Sequence, residues 1–219
     1  GGSENDSLFG GLESDLIDGG DGNDFLDGYS GSDTIFGEAG DDTLRGGAQP
    51  DLLQGGDGND QVFGQGSTGD SVGGGFGDDT IDGGSGNDLL QDDGDADITV
   101  TNDAMTGGLG NDVLISVERA LITGGSGNNR IDLSAFLVPG FTTSTVFGGE
   151  GDDTIIGSGA NEVFRGDQGD DLLIGNGGRD YLAGGANTDT LDGGEGDDRL
   201  RGQGGSGDRL TGGPGKNDL

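Results

Sequence analysis

The chain has 219 residues, of which 56 are Gly, 43 are Asp or Glu and 9 are Lys or Arg, giving a formal net charge of −34. With neither Cys nor His, it has no disulfide framework, no thiolate nucleophile, no Ser-His-Asp triad and no zinc site of the Cys or His type. The charge repels nucleic acid and anionic membranes, no apolar run reaches the ~18 residues of a membrane span, and low hydrophobicity with high net charge is by itself the signature of disorder.

The order of the residues argues against disorder. Cut every nine residues from Gly1, the chain reads GGSENDSLF, GGLESDLID, GGDGNDFLD, GYSGSDTIF, GEAGDDTLR, GGAQPDLLQ and GGDGNDQVF, seven nonamers in phase. Position 1 is always Gly. Position 6 is always Asp: Asp6, Asp15, Asp24, Asp33, Asp42, Asp51 and Asp60. Position 8 is always aliphatic: Leu8, Ile17, Leu26, Ile35, Leu44, Leu53 and Val62. A unit lengthened by one residue (64–73) supplies Asp70, and the restored phase supplies Asp79 and Asp88. The degenerate DDGDADITV (92–100) keeps Asp97 at position 6. GGLGNDVLI (107–115) supplies Asp112, and GGSGNNRID (124–132) has Asn129 instead of Asp. A second block from Gly148 supplies Asp153, Glu162, Asp171, Asp180, Asp189 and Asp198, followed by Asp208 in another lengthened unit.

Physical chemistry turns this period into a fold. Gly at positions 1, 2 and 4 permits positive φ and close backbone approach, so positions 1–6 form a tight turn. Positions 7–9 make a short strand whose middle side chain points inward. One such unit cannot bury its aliphatic residue, but stacked copies can. The simplest closed coil holds two turns and two strands, so the expected fold is all-β: a parallel β-roll, or β-solenoid, with 18 residues per coil. Asp6, Asp24 and Asp42 then form one row, and Asp15, Asp33 and Asp51 another. Neighbours in a row about 4.8 Å apart repel by roughly 3.5 kcal/mol at an effective dielectric of 20. A hard divalent cation between coils removes that repulsion. Calcium accepts 6–8 oxygens from carboxylates and backbone carbonyls in flexible geometry, whereas magnesium demands a tight octahedron.

Three stretches interrupt the nonamer: 101–106, SVERALIT (116–123) and LSAFLVPGFTTSTVF (133–147). The expectation is one continuous roll over 1–219, with calcium-binding blocks at 1–100 and 148–219. Residues 101–147 form divergent, largely metal-free rungs with a longer loop around Pro139-Gly140. A competing reading exposes Phe136, Leu137 and Phe141 as a contact patch. Positions 7 and 9 face solvent. Position 7 reads Ser, Leu, Phe, Thr, Thr, Leu, Gln in the first block, too irregular for a flat ice-binding array. Paired acids such as Asp41-Asp42 and Asp170-Asp171 resemble a glycosidase pair, but the period makes position 6 the ligand and position 5 turn surface. No acid stands out from its copies, so no catalysis is expected.

GGDGNDFLD (19–27), GGFGDDTID (74–82), GGLGNDVLI (107–115) and GGEGDDTII (148–156) resemble the RTX nonapeptide GGxGxDxUx, a calcium-binding parallel β-helix repeat. The resemblance implies a roll that folds on binding calcium, and secretion, commonly by the type I route of Gram-negative bacteria. It implies that calcium lies between coils, held by the position-6 carboxylates. These are Asp6, Asp15, Asp24, Asp33, Asp42, Asp51, Asp60, Asp70, Asp79, Asp88, Asp97, Asp112, Asp153, Asp171, Asp180, Asp189, Asp198 and Asp208. Turn carbonyls such as those of Gly20, Gly22, Gly56, Gly58, Gly149, Gly151, Gly194 and Gly196 complete each site. An uninterrupted stack of N turns offers about N − 2 sites, so roughly fifteen ions are expected, nearly balancing the acid. Asn129 and Glu162, and Glu4 and Glu13 at position 4, depart from the pattern. The chain stops inside a repeat at Leu219, as expected of a segment of a longer protein or of a protomer whose ends are covered. The expected role is a non-catalytic structural or assembly segment of an extracellular surface protein (adhesin, surface layer or fibre). Its partners are calcium ions and its own copies, by end-to-end or lateral self-association, with no nucleic acid and no membrane insertion. The alternative is a folding and secretion module of a larger type I-secreted enzyme or cytolysin.

Overall fold

The computed structural model describes residues 1–66, 69–137 and 143–216. Among the described residues every regular element is a β-strand. The chain divides into two compact units: Gly1–Asp92 with Asp103–Met105 and Leu109–Arg119, and Asp93–Asn102 with Thr106–Gly108 and the chain from Ala120 on. Both are parallel β-solenoids, together about 11 coils of roughly 18 residues.

In the first unit, Ser7–Gly11, Phe25–Tyr29, Thr43–Gly47, Gln61–Gln65, Thr80–Asp82 and Gly110–Ile115 follow one another in one sheet. Leu16–Asp21, Thr34–Ala39, Leu52–Asp57, Ser71–Phe76 and Leu89–Asp93 form the second. The register is the sequence period. Leu8 pairs with Leu26, Leu26 with Leu44 and Leu44 with Val62, while Ile17 pairs with Ile35 and Ile35 with Leu53. The extra residue in 64–73 is absorbed in its turn, so Leu53 pairs with Val72 and Val62 with Ile81 without loss of phase. The residues inserted before Gly110 do not interrupt this stack: Ile81 pairs with Leu114, while Ile98–Thr101 pairs with Arg130–Ala135 in the second unit. In the second unit the same two-sheet pattern gives Ile131 against Ile155, Ile155 against Leu173 and Leu173 against Leu191. Val146, Phe164, Leu182 and Leu200 form the facing column.

The core is therefore two columns of position-8 side chains. Leu26, Ile35, Leu44, Leu53 and Val62 are fully buried, while positions 7 and 9 on either side are mostly half-buried or exposed, as strand alternation requires. Position-1 glycines such as Gly19, Gly28 and Gly37 are buried too.

The stretches that break the nonamer still form strands. Two details differ from expectation. In DDGDADITV the inward side chains are Ile98 and Val100, and Asp97 and Thr99 are exposed. Two aliphatics two residues apart face one side of a strand, and their burial outweighs the nonamer phase. Phe136 is buried and unavailable to a contact patch, whereas Leu137 is half exposed. Phe141 and the Pro139-Gly140 loop lie outside the described residues.

Leu44→Ala should cost about 2–5 kcal/mol in calcium-saturated denaturant unfolding, because the residue fills a one-side-chain-thick column. Leu12→Ala, at a site 84% exposed, should stay within about 0.5 kcal/mol of the parent. Equal effects would contradict the two-column core.

Candidate metal centre

The position-6 aspartates form hydrogen-bonded ladders. The backbone N–H of Asp6 donates to Oδ1 of Asp24 (2.7 Å), Asp24 to Asp42 (2.7 Å), Asp42 to Asp60 (2.8 Å), Asp60 to Asp79 (2.7 Å) and Asp79 to Asp112 (3.0 Å). On the other edge Asp15 donates to Asp33, Asp33 to Asp51, Asp51 to Asp70 and Asp70 to Asp88 at 2.7–2.9 Å. In the second unit one ladder runs Asn129, Asp153, Asp171, Asp189, Asp208 and the other Glu162, Asp180, Asp198.

Each carboxylate thus commits one oxygen to the N–H of the preceding coil. The second oxygen is left over. Oδ2 of Asp24, Asp33, Asp42, Asp51, Asp60, Asp70, Asp79, Asp88, Asp112, Asp153, Asp171, Asp180 and Asp189, and Oε2 of Glu162, are buried with no hydrogen-bond partner. Native proteins rarely leave such atoms unsatisfied. Their surroundings are oxygen-rich and shaped by glycine. A β-carbon on Gly19 would meet Asp24 Oδ2 at 2.5 Å and the Gly37 carbonyl oxygen at 2.7 Å, and Gly37 and Gly55 repeat the arrangement against Asp42 and Asp60. The glycines at positions 2 and 4 named above all have positive φ, from 87° at Gly194 to 140° at Gly58 and Gly196. They lie over carbonyls of the preceding coil: a β-carbon on Gly20 would meet the Gly2 oxygen at 2.5 Å, and one on Gly22 the Glu4 oxygen at 2.7 Å. Among the described residues no three acidic side chains converge on one point. A cation here must draw mainly on backbone carbonyls, which suits a hard ion with many oxygen ligands.

The departures are local. Asp6, Asp15 and Asp208, at ladder ends, are only half-buried. Asp97 stands outside the ladders, exposed, its Oδ1 accepting the N–H of Arg130. Asn129 keeps its backbone role and donates Nδ2 to Asp95, which also accepts from Ser126 Oγ and Gly127 N–H. Glu162 accepts a short hydrogen bond from Ser158 Oγ. Two features escape the sequence reading. Glu118, in a stretch without the repeat, takes the next place in the ladder: its Oε2 accepts the Asp88 N–H at 2.8 Å. Position 5 is more than turn surface. Oδ1 of Asn5, Asn23, Asp41, Asn59 and Asp78 accepts the N–H of position 5 one coil later, at 2.9–3.2 Å. This outer ladder runs in the opposite sense to the inner one. The recurrence of Asn or Asp at position 5 was its visible signal.

Burial is the main cause of raised carboxyl pKa values along the rows, opposed by the incoming N–H and reinforced at several sites by the next carboxylate. Asp51, Asp60, Asp112 and Asp171 are pushed up to about 7, Asp180 to about 8, and Asp88 and Asp153 to about 6.

Compared with known families, residues 1–35, 36–68, 73–101, 100–114, 121–135, 142–173 and 174–208 match the RTX calcium-binding nonapeptide repeat. The chain belongs to the RTX family. It is a calcium-binding β-roll, and RTX-repeat proteins are typically exported by type I secretion. No curated protein matches the chain. The buried, unpartnered Oδ2 atoms and their glycine-lined, carbonyl-rich surroundings fit the family's metal.

Two outcomes follow. In the metal-free chain, groups with raised folded-state pKa bind more protons folded than unfolded between about pH 4 and 7, so stability must fall as pH rises through that window. Circular dichroism in EDTA should show β-structure gained on acidification from pH 8 to 4 and lost again on return; a signal independent of pH would contradict the burial of charge. Gly55→Ala places a methyl against Asp60 Oδ2 and the Gly74 carbonyl. It should raise the calcium midpoint of folding several-fold, while Gly2→Ala, with nothing within 4 Å, should leave it unchanged.

Proposed function

We propose that the position-6 carboxylates hold calcium through Oδ2, and that the calcium-folded roll serves as a structural and assembly segment of a secreted bacterial surface protein. The observation that carries the first part is the row of buried carboxylate oxygens with no partner. Bound calcium would supply positive charge between coils and accept both carboxylate and carbonyl oxygens. The residues do the rest. Oδ1 fixes each carboxylate to the preceding coil, Oδ2 faces the glycine-lined turn, and the carbonyls of Gly20, Gly22, Gly56, Gly58, Gly149, Gly151, Gly194 and Gly196 bring further oxygens. Asp97 falls outside this set, and Glu118 joins the row as its end.

The role outside the cell follows from charge. At −34 a chain with this little apolar surface stays open where calcium is scarce, which suits export of an unfolded polypeptide, and closes where it is abundant. Extracellular calcium modules bind at about 10⁻⁴–10⁻³ M, the range that separates the two compartments. A structural rather than catalytic role is supported by the uniformity of the sites: the position-6 carboxylates repeat the same surroundings from coil to coil.

Equilibrium dialysis should find roughly fifteen calcium ions per chain at saturation, with light scattering rising alongside the folding transition. Saturation at two or three ions would overturn the ligand rows. Full loading of a chain that stays monomeric at high concentration would overturn the assembly role and favour a module of a larger exported enzyme or cytolysin.

A further inference from the structure

The second unit carries a cluster of arginines beside the Glu162–Asp180–Asp198 row. Of the chain's 9 Lys and Arg residues, Arg45 and Arg119 belong to the first unit and the other seven to the second. Four of them gather on and beside one sheet face. The outward positions of successive strands pair Phe147 with Arg165, Arg165 with Ala183 and Ala183 with Arg201. The neighbouring line pairs Val163 with Tyr181 and Tyr181 with Arg199. Arg165 lies 5.5 Å over the Phe147 ring, and Arg199 and Arg201 lie 5.8 and 5.9 Å from the centre of Tyr181. Arg179, in the turn before Tyr181, lines a groove of about 640 Å³ together with Arg199, Arg201, Asp197 and the row residues Glu162, Asp180 and Asp198.

These arginines are unusual in their surroundings. The chain holds 43 acidic residues, yet Arg165, Arg179, Arg199 and Arg201 make no ion pair with a described residue; the described ion pair is Arg130–Asp132. All four are exposed. Stacking on an aromatic ring holds a guanidinium flat and leaves its N–H edge free, an arrangement suited to taking a carboxylate in bidentate fashion. Once calcium neutralises Glu162, Asp180 and Asp198, the three arginines outnumber the remaining Asp197, and the face takes anions rather than apolar groups.

We infer that this arginine face docks on the acidic turn edge of a second copy of the chain. The inference rests on the assembly reading above and names its surface. The argument is charge and period. In the first unit, Asp21, Asp41, Asp57 and Asp78 are exposed at positions 3 and 5 of one edge, outside the position-6 rows. Both surfaces are built on the same coil rise of about 4.8 Å, so the spacings of the two sets of charges are multiples of one length. The contact is heterologous: each copy offers one basic face and one acidic edge, so every docking leaves both kinds of surface free at the ends and the association propagates. Calcium is required first, because two metal-free chains at −34 repel. The contact weakens with salt, being largely solvent-exposed.

Sedimentation velocity on the calcium-loaded full chain tests this, with circular dichroism as the folding control. The parent should grow in mass with concentration, and this growth should vanish near 0.5 M salt. Arg179→Gln/Arg199→Gln/Arg201→Gln and Asp21→Asn/Asp41→Asn/Asp57→Asn should each raise the association midpoint by about tenfold or more. Mixing the two variants should yield capped pairs, since each retains the surface the other lacks, and arginine-to-lysine changes should restore association only in part. Association unchanged in both variants would overturn this surface while leaving assembly intact. A parent that is folded and monomeric at every concentration would remove the assembly reading itself. Capture of polyglutamate or heparin by the arginine face of a chain that does not self-associate would overturn the second copy as partner in favour of a foreign polyanion.

Discussion

The architecture depends on buried carboxylate oxygens that, among the described residues, the polypeptide does not supply with a hydrogen-bond donor. The backbone of each coil bonds to the next, the aliphatic columns fill the interior, and Oδ1 of each position-6 Asp takes an N–H. Oδ2 remains, repeated along the interior of each row, beside backbone carbonyl oxygens. Such an atom can be neutralised by a proton or by a cation. The raised pKa values describe the first solution and the family's calcium the second.

Other constraints follow from that one. Position 1 must be Gly because any β-carbon would occupy the space beside Oδ2, as at Gly19 and Gly55. The inner and outer ladders at positions 6 and 5 run in opposite senses, so each turn is tied to both neighbours through side chains as well as through the sheets. The aliphatic columns are too thin to hold the coils alone, which explains how a chain with so little apolar content makes an ordered solenoid.

Much of this was legible in the sequence. The nine-residue recurrence of Gly, Asp and an aliphatic gave the coil, the sheets and the identity of the core, because a strict period leaves one way to bury Leu26 under Leu44. What it left out was decided by local competition. At 92–100 the pair Ile98 and Val100 sets the strand, not the nonamer phase of Asp97. Phe136 is buried because an aromatic beside a solenoid interior gains more from the core than from solvent. Glu118 reaches its ladder place from a shortened turn, where a longer side chain substitutes for missing backbone, and no spacing rule announces that. The outer ladder was visible as Asn and Asp at position 5, but the opposing reading, solvated turn surface, fits the same residues.

The most direct test is a calcium titration of the chain by circular dichroism at pH 8, starting in EDTA, with magnesium as control. The account predicts an open chain in EDTA and a cooperative, calcium-specific gain of parallel β-structure, with magnesium ineffective at the same concentration. A chain already fully β-structured in EDTA at that pH would show that the carboxylate rows are satisfied without a metal, and that calcium does not hold this solenoid together.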